Sequence, residues 1–345
     1  MVRLHGRSGN EVVPDRLSPR IDVIKSRGRR GGSQVRCVVT GASGFLGSWL
    51  VRQLLHGGHS VTVFLRGEPQ AHRVNDWLGC VRVVHGSFED CTAFGKKLAG
   101  ERIDVFFHLA WSGVTADCRD EVSQISSNVV GCVRLWEIAR DLGCKHWIGL
   151  GSQAEYGPHE DVLKEDLPLR PATAYGVAKV ASAMLTAKMS EIAGIRHTWV
   201  RLLAVYGPGD DPKHLIPSTI QMLLAGKKPA LTKGEQRWDY LYVEDAAKAL
   251  ARIAATGATG SLNLASGQTV VIRKLIECLS AMVGADLPLG FGDVAYAPGQ
   301  TMHLEADISR LQRATGWEPE IPLEEGLRRT IQWHKERGPD AAFCR

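Results

Sequence analysis

Beyond Gln34 the sequence alternates between short apolar runs and longer amphipathic segments. The short runs are rich in Val, Ile and aromatic side chains, which is typical of strands buried on both faces of a sheet. Seven strands are predicted in this way, over residues 36–40, 60–65, 81–86, 104–110, 146–152, 197–203 and 261–265. Helical patterns lie between them, over residues 45–55, 128–142 and 175–193. The alternation predicts βαβ units and therefore an α/β fold with a doubly wound, Rossmann-like parallel sheet.

The regular alternation ends near Tyr206. A loop rich in Pro and Gly follows, and further helices are predicted near residues 215–225, 270–283 and 322–336. We expect a Rossmann domain over residues 35–206, to which residues 241–265 return. We also expect a smaller C-terminal α+β module for substrate binding, made of residues 207–240 and 266–337, with residues 338–345 as a tail.

The charge of the chain is concentrated at its start. Residues 1–36 hold nine Lys and Arg against three Asp and Glu, so the remaining 33 basic and 34 acidic residues nearly balance. Residues 1–34 have no periodic apolar spacing, and we expect a disordered extension there. A nearly neutral body gives no indication of nucleic-acid binding. No apolar run approaches the roughly 20 residues needed to cross a bilayer, so no membrane span is expected.

Cysteine usage indicates the compartment. The eight cysteines are scattered and form no C-x-x-C pair. This pattern favours a cytoplasmic protein with reduced thiols, and it predicts neither a disulfide framework nor a metal site.

The sequence VVTGASGFLG places three glycines between the first predicted strand and the first predicted helix. Gly41 permits a tight turn, Gly44 lets the backbone approach phosphates, and Gly47 allows close packing of helix and strand. The helix N-terminus then offers N–H groups and a positive dipole end to an anion. The turn therefore predicts a site for a nucleotide pyrophosphate, although a plain glycine-rich turn is the alternative. The predicted contacts here are Gly41, Ser43, Gly44, Phe45, Leu46 and Gly47.

The residue at the end of the second strand indicates which dinucleotide binds. Arg66 stands 19 residues after Gly47, where an Arg accepts the 2′-phosphate of NADP and a carboxylate would grip the ribose of NAD. We therefore expect NADP(H) to be preferred, with NAD(H) possible. The alternative is that Arg66 is only a solvated side chain at a strand end.

A candidate catalytic pair lies on the helix predicted over residues 175–193. Tyr175 and Lys179 are four residues apart and so share one face of that helix. An ordinary Tyr titrates near 10, so a Tyr that moves protons at neutral pH needs a cation beside it. Ser152 ends a predicted buried strand 23 residues before Tyr175, where its hydroxyl could bond a substrate oxygen.

Together these motifs resemble the extended short-chain dehydrogenase/reductase superfamily, in its sugar-nucleotide epimerase/dehydratase/reductase branch. The resemblance covers about residues 35–337, and the motifs TGASGFLG, HLAW, GSQAEYG, YGVAK, RLLAVYGPG and GEQRWDYLYVEDAA occur in the family's order. It implies that Ser152, Tyr175 and Lys179 are the catalytic triad. It further implies that Phe88, Leu109, Ala110 and Asn128 lie beside the cofactor, together with Tyr175 and Lys179.

The resemblance also implies residues on the substrate side. Arg237 would pair with the diphosphate of a nucleotide sugar, unless it forms a structural ion pair with Asp239 or Asp245. Gln153 and Tyr206 are further candidates for substrate contact. Asp245 is expected to anchor its helix.

Departures from the family pattern narrow the reaction. Gln153 and Ala154 stand where 4,6-dehydratases have Asp-Glu, so dehydration is not expected. Ala204 replaces an Asn on the substrate side. Ala297 and Gln300 stand where many members have an Arg and an acid, which leaves the nucleotide half of the substrate open.

The function expected from the resemblance is reduction of the 4-keto group of a nucleotide-activated 4-keto-6-deoxy sugar. The alternatives are a 4-epimerase with tightly held NAD, a carbonyl reductase of a different substrate, and an NADP-binding sensor without turnover. The resemblance also implies a homodimer formed through the helices near residues 128–142 and 175–193.

Overall fold

The computed structural model describes residues 34–87 and 91–338, with only the backbone described at Thr92 and Ala116. The strands are β1 Arg36–Thr40, β2 Ser60–Leu65, β3 Arg82–His85, β4 Val105–His108, β5 His146–Ser152, β6 Arg196–Leu202, β7 Ala204–Tyr206, β8 Ala230–Leu231, β9 Arg237–Tyr242, β10 Gly260–Leu264, β11 Thr269–Val271, β12 Gly290–Phe291 and β13 His303–Leu304. The α-helices are α1 Phe45–His56, α2 Ala71–Val74, α3 Cys91–Lys97, α4 Val130–Asp141, α5 Ala174–Ala193, α6 Leu215–Leu224, α7 Val243–Thr256, α8 Ile272–Val283, α9 Ser309–Thr315 and α10 Leu323–Arg337. A π-helical stretch, Gln124–Val129, precedes α4.

Seven parallel strands form the central sheet in the order β10-β6-β5-β4-β1-β2-β3. They are the seven strands predicted from the sequence, with bounds that differ by no more than a few residues, so the expected fold class is confirmed. The strand order reverses between β1 and β4. In open α/β sheets ligands bind outside the carboxyl ends of the strands at such a reversal.

Apolar side chains cover both faces of this sheet. Leu50 and Leu54 of α1 and Leu250 of α7 belong to one buried cluster. Phe106 of β4 and Trp147 of β5 belong to the cluster on the other face, where their rings stack with centroids 4.8 Å apart. Burial on both faces explains why the strands are apolar throughout instead of alternating with polar residues.

A third apolar cluster surrounds smaller sheets that the sequence patterns did not predict. Strand β9 pairs with β7, β11 and β13, while β8 pairs with β12. Helices α6, α8 and α10 bury side chains such as Ile220, Ile276 and Leu327 against them. Strands of two or three residues carry too little periodicity to be recognised along a chain. The domain bounds expected above stay a prediction.

Some of the expectations concern residues outside the described ranges, and others concern the state of the cysteines and the lack of membrane-spanning helices. The extension expected over residues 1–34 lies there except for Gln34, as do most of the C-terminal tail and Phe88. Within the described residues, the seven cysteines are free thiols. None of the described helices has the length and apolar character needed to cross a bilayer.

Candidate active site

The glycine turn after β1 is shaped by contacts that leave no room for side chains. Gly41 has a φ of +73°, and a Cβ atom there would lie 2.7 Å from the Ala110 nitrogen and 2.8 Å from the Leu109 carbonyl carbon. A Cβ at Gly47 would lie 2.0 Å from the Gly41 oxygen. The Gly44 N–H donates to that same oxygen at 3.0 Å. Gly41, which follows β1, and Leu109 and Ala110, which follow β4, are therefore packed backbone to backbone.

This turn fits a dinucleotide pyrophosphate. Helix α1 begins at Phe45 with Gly44 as its N-cap, and no side chain caps it. The N–H groups of a first helical turn have no partners within the helix, so a bound anion can accept from them. Gly41 and Gly47 allow the turn to pack closely enough that the helix begins directly after it. The residues therefore suit the cofactor that the sequence motif predicts.

Arg66 reaches the loop that follows β4. It stands directly after β2, is exposed, and donates from Nη1 to the Ser112 Oγ at 3.2 Å. Because β1 lies between β2 and β4 in the sheet, this contact passes over the carboxyl end of β1, beside the glycine turn. The side chain is thus held near the predicted cofactor instead of extending freely into solvent.

Asn128 has a different role from the one expected. Its side chain is buried, with Oδ1 accepting from the Ser112 N–H at 2.8 Å and Nδ2 donating to the Ser112 carbonyl at 3.0 Å and to Gln124 Oε1 at 3.0 Å. Its amide is therefore used within the protein, which corrects the predicted direct cofactor contact. Asn128 acts on the site by fixing the loop at Ser112.

The three candidate catalytic residues come together at the carboxyl end of β5. Ser152 ends this strand and its Oγ accepts from the Ala154 N–H at 3.2 Å. Tyr175 lies in the first turn of α5, close enough to Ser152 that hydrogen bonding between their side chains favours the phenolate. Lys179 lies one turn later, and its Nζ is 5.7 Å from the centroid of the Tyr175 ring. The predicted triad is thus assembled.

The charges in the triad differ from the expectation. Burial raises the pKa of Tyr175 above its ordinary value, while hydrogen bonding to Ser152 and the Arg119 charge oppose that rise. Burial lowers the pKa of Lys179 to about 7. Its Nζ donates to the Leu150 carbonyl at 2.6 Å and lies 3.7 Å from the centroid of the Trp111 ring. Lys179 is not among the groups that shift the pKa of Tyr175, so the expected lowering of that pKa by Lys179 stays a prediction.

The turn after Ser152 rests on a buried carboxylate that sequence reasoning missed. Glu155 is fully buried, and its Oε1 accepts from the Ser152 N–H at 2.9 Å and from Trp199 Nε1 at 2.8 Å. Its Oε2 accepts from Arg201 Nε at 2.9 Å. The S-x-x-E spacing of a capping box was the available signal. Both oxygens are engaged, so Glu155 positions Ser152 and does not serve as a free acid.

The structure places Tyr206 and Gln153, the two further candidates for substrate contact, in different surroundings. Tyr206 is buried in the third apolar cluster, where its hydroxyl donates to the Leu323 carbonyl at 3.0 Å. It offers no face to a ligand, so its predicted substrate contact is wrong. Gln153 follows Ser152 in a short 3₁₀ turn and remains partly exposed.

Arg237 is free of the structural ion pair considered as its alternative. Its side chain is exposed and donates to Thr269 Oγ1 at 3.1 Å. Asp239 instead accepts from the backbone N–H groups of Ser266 and Gly267. Asp245 accepts from the N–H groups of residues 320 and 321, which anchors helix α7 as expected.

A cavity of about 260 Å³ opens between the short strands and helices α6 and α8. Its lining is mostly apolar and includes Leu231, Trp238 and Phe291. Gln236 also lines it, and its buried Oε1 has no hydrogen-bond partner among the described residues. Gln300, one of the departures from the family pattern noted in the sequence, lies at the same cavity.

Comparisons with known proteins agree with this geometry. The model of the NAD dependent epimerase/dehydratase family matches residues 37–265. A UDP-glucose 4-epimerase of Mycolicibacterium smegmatis is 28% identical over 314 residues, covering 88% of this chain and 99% of the relative. A dTDP-glucose 4,6-dehydratase of Streptomyces griseus is 29% identical over 314 residues, covering 87% and 94%.

Solved structures agree as well. The UDP-N-acetylglucosamine 4-epimerase of Methanobrevibacter ruminantium, in complex with UDP-N-acetylmuramic acid, superposes with a TM-score of 0.81 at 26% identity, covering 89% of this chain and 100% of that one. These relatives are enzymes, which argues against the alternative of a sensor without turnover. The chain belongs to the NAD-dependent epimerase/dehydratase family of sugar-nucleotide enzymes, within the extended short-chain dehydrogenase/reductase superfamily.

Proposed function

We propose that the protein is an NADP(H)-dependent reductase of the 4-keto group of a nucleotide-activated 4-keto-6-deoxy sugar. The observation that carries the choice of reductase is the position of Arg66, which directly follows β2 and reaches Ser112 across the carboxyl end of β1. A guanidinium there suits the 2′-phosphate of NADP. A reductase exchanges its cofactor at every turnover and gains from such selection, whereas an epimerase that retains its cofactor does not.

The triad supports the proton half of the reaction. When bound, the nicotinamide cofactor supplies the hydride that reaches the sugar carbon. Tyr175 gives its hydroxyl proton to the oxygen of that carbon, and the Ser152 hydroxyl holds the same oxygen by a hydrogen bond. Lys179, one helical turn from Tyr175, would bind the nicotinamide ribose by exchanging its present bond to the Leu150 carbonyl. Gly41, Gly44 and Gly47 would hold the pyrophosphate at the N-terminus of α1.

Elimination of water is not part of this proposal. Gln153 and Ala154 cannot act as an acid and a base, and Glu155 in the same turn is occupied by Ser152, Trp199 and Arg201. We therefore expect no 4,6-dehydratase activity on any nucleotide hexose.

A 4-epimerase is the second candidate. The similarity to UDP-glucose 4-epimerase over nearly the whole of that relative favours it. The triad would serve equally well, because epimerisation removes a hydride from the sugar carbon and returns it to the opposite face. The two candidates differ in one measurable property, which is net consumption of reduced cofactor.

The nucleotide half of the substrate would extend from Tyr175 toward the smaller sheets. Arg237 has no ion-pair partner among the described carboxylates, so it is available to the diphosphate. The cavity beside Trp238 is large enough for a flat base, and the Gln236 Oε1 could accept from an N–H of that base.

The experiment that tests the function is a screen of nucleotide sugars with reduced cofactor. Loss of the reduced-nicotinamide absorbance in proportion to a dTDP-activated 4-keto-6-deoxyhexose supports the reductase, with the Tyr175→Phe variant as the inactive control. Interconversion of two sugars without net loss of that absorbance supports the epimerase instead.

We also propose that the protein is a homodimer. Helix α5 exposes an apolar stripe, formed by Val177, Met184, Leu185 and Ile192, beside the exposed Ile125 of the neighbouring π-helical stretch. Apolar residues recurring at this helical spacing on a surface are typical of an interface. Continuity with the helices that the family resemblance predicts for dimerisation points to a second copy of this chain as the occupant.

The homodimer is tested by Met184→Glu. We expect this variant to sediment as a monomer, because a charge in an apolar interface is not solvated. Val294→Glu, at a comparably exposed apolar residue of the smaller sheets, should leave the dimer intact. A monomeric wild-type chain contradicts the proposal.

A further inference from the structure

The loop between β4 and the π-helical stretch holds the first turn of α5 in place. The carbonyl of Arg119 accepts from the Tyr175 N–H at 2.7 Å. The Oδ1 of the neighbouring Asp120 accepts from the Ala174 N–H at 2.9 Å. These two bonds satisfy N–H groups that a helix start would otherwise leave unpaired. The loop therefore sets where Tyr175 stands.

The Arg119 side chain lies over the Tyr175 ring. Its guanidinium carbon is 5.4 Å from the ring centroid, and its Nε donates to the Val114 carbonyl at 3.3 Å. No carboxylate of the described residues forms an ion pair with it. The guanidinium is half-buried, so its charge acts on Tyr175 with less screening than a fully solvated charge would.

A buried glutamine fixes this loop. Gln124 Oε1 accepts from Trp111 Nε1 at 2.9 Å, while its Nε2 donates to the carbonyls of Gly113 at 2.7 Å and Cys118 at 3.0 Å. A Cβ atom at Gly113, where φ is +68°, would lie 2.8 Å from that Nε2. Gln124 begins the π-helical stretch, a rare backbone form that occurs frequently at functional sites. The position of Arg119 is thus determined by buried contacts.

Lys179, the other cation near Tyr175, makes its contacts with other groups. The Lys179 Nζ is bonded to the Leu150 carbonyl and covered by the Trp111 ring. Burial lowers its pKa to about 7, well below the ordinary value of a lysine. An Arg stays protonated throughout this range. On the opposing side, the buried Glu155 carboxylate disfavours a negative Tyr175.

We propose that Arg119 is a positioning residue of the reaction, which holds Tyr175 through its main chain and stabilises the phenolate of Tyr175 through its guanidinium. The proposal rests on the proposed function, in which the Tyr175 O–H bond breaks as the new O–H bond of the product alcohol forms. The phenolate that remains regains its proton from water. Arg119 stabilises the negative charge that Tyr175 carries after it gives up its proton and before it regains one.

A titration of Tyr175 in the complex with NADP⁺ tests the charge without any sugar. The chain carries six tyrosines, so ¹³Cζ-tyrosine NMR resolves them, and Tyr175→Phe assigns the signal. We expect Arg119→Met to raise the titration midpoint of Tyr175 by about one pH unit, as loss of a nearby opposite charge does. Arg119→Lys keeps the charge and should leave the midpoint near that of the wild type. Arg140→Met, a matched change at an exposed Arg of α4, should have no effect.

The effect of Arg119 on turnover is measured by steady-state kinetics with the dTDP-activated 4-keto-6-deoxyhexose as substrate. We expect Arg119→Met to shift the pH limb of kcat in the same direction and by the same amount as the titration midpoint. On that limb, a shift of one pH unit changes the rate about tenfold. KM should be unchanged, and Arg119→Lys should restore the wild-type profile. An unchanged midpoint in Arg119→Met, or equal shifts in Arg119→Met and Arg119→Lys, overturns the proposal. A shifted midpoint in a protein that turns over no nucleotide sugar supports Arg119 and refutes the proposed function alone.

Discussion

The glycine turn at residues 41–47 and the loop at residues 111–124 both border the carboxyl end of the central sheet, but different contacts fix their shapes. Backbone atoms packed against one another fix the turn, which therefore leaves no room for a Cβ atom at Gly41 or Gly47. Hydrogen bonds from the buried side chains of Gln124 and Asn128 fix the loop. The turn should therefore be sensitive to volume, and the catalytic side of the site should be sensitive to charge and to hydrogen bonding.

The largest effect is expected from Tyr175→Phe. The substitution leaves the glycine turn unchanged, but it removes the hydroxyl group that moves the proton. Turnover should fall by about 10²–10⁴-fold, while the dissociation constant of NADP(H), measured by fluorescence titration, stays nearly unchanged. A near-normal rate in this variant would remove Tyr175 from the mechanism.

Glu155→Gln should have the next largest effect. The carboxylate is fully buried against Arg201, and an amide in its place leaves that guanidinium without its counter-charge. Breaking one partner of a buried pair typically costs about 3–5 kcal/mol. Urea unfolding measures the loss. Glu191→Gln, which alters a solvated pair with Lys188, is the matched control and should change stability by less than about 1 kcal/mol. Equal losses in the two variants would contradict the positioning role of Glu155.

Arg66→Asp separates the choice of cofactor from the chemistry. If Arg66 pairs with the 2′-phosphate, that contact is worth about 1.5–3 kcal/mol, or roughly 10–150-fold in preference for NADPH over NADH. The variant should erase or reverse that ratio and leave the triad intact. Comparing kcat/KM for the two cofactors measures it, and equal use of both cofactors by the wild type would reduce Arg66 to a solvated strand end.

The smallest effect in this series is expected from Gly47→Ala. The added methyl would lie against the Gly41 carbonyl, so the turn must shift, at a cost of about 1–3 kcal/mol. The melting temperature and the affinity for NADP(H) should both fall. Gly79→Ala is the control, because nothing lies within 4 Å of a Cβ atom there. If both substitutions are tolerated equally, the volume argument for the turn fails.

The features predicted from the sequence share one property, which is that each depends on a pattern within a short stretch of chain. The seven strands were recognised by apolar runs, the turn by the spacing of Gly41, Gly44 and Gly47, and the pair Tyr175 and Lys179 by one helical turn. Local backbone geometry converts such spacing directly into position. This is why the sheet could be predicted correctly before any tertiary contact was considered, and why the turn and the candidate triad could be selected from the sequence; the roles of their residues stay a prediction.

The remaining features depend on contacts between distant parts of the chain. Tyr206 and Asn128 were identified by their motifs, but only the packing around them determined that Tyr206 lies in a core and that Asn128 bonds the loop at Ser112. Arg119 and Glu155 were not recognised, because their roles depend on Tyr175 and Arg201, which are distant in sequence.

The charge on Lys179 depends on burial in the same way, since desolvation depends on which atoms surround a group and not on its neighbours in sequence. The sequence by itself thus determined the fold class and pointed to Ser152, Tyr175 and Lys179 as candidate catalytic residues. Tertiary structure decided which polar groups are free to act and what charge they carry, because both properties depend on solvent exclusion by residues from distant segments.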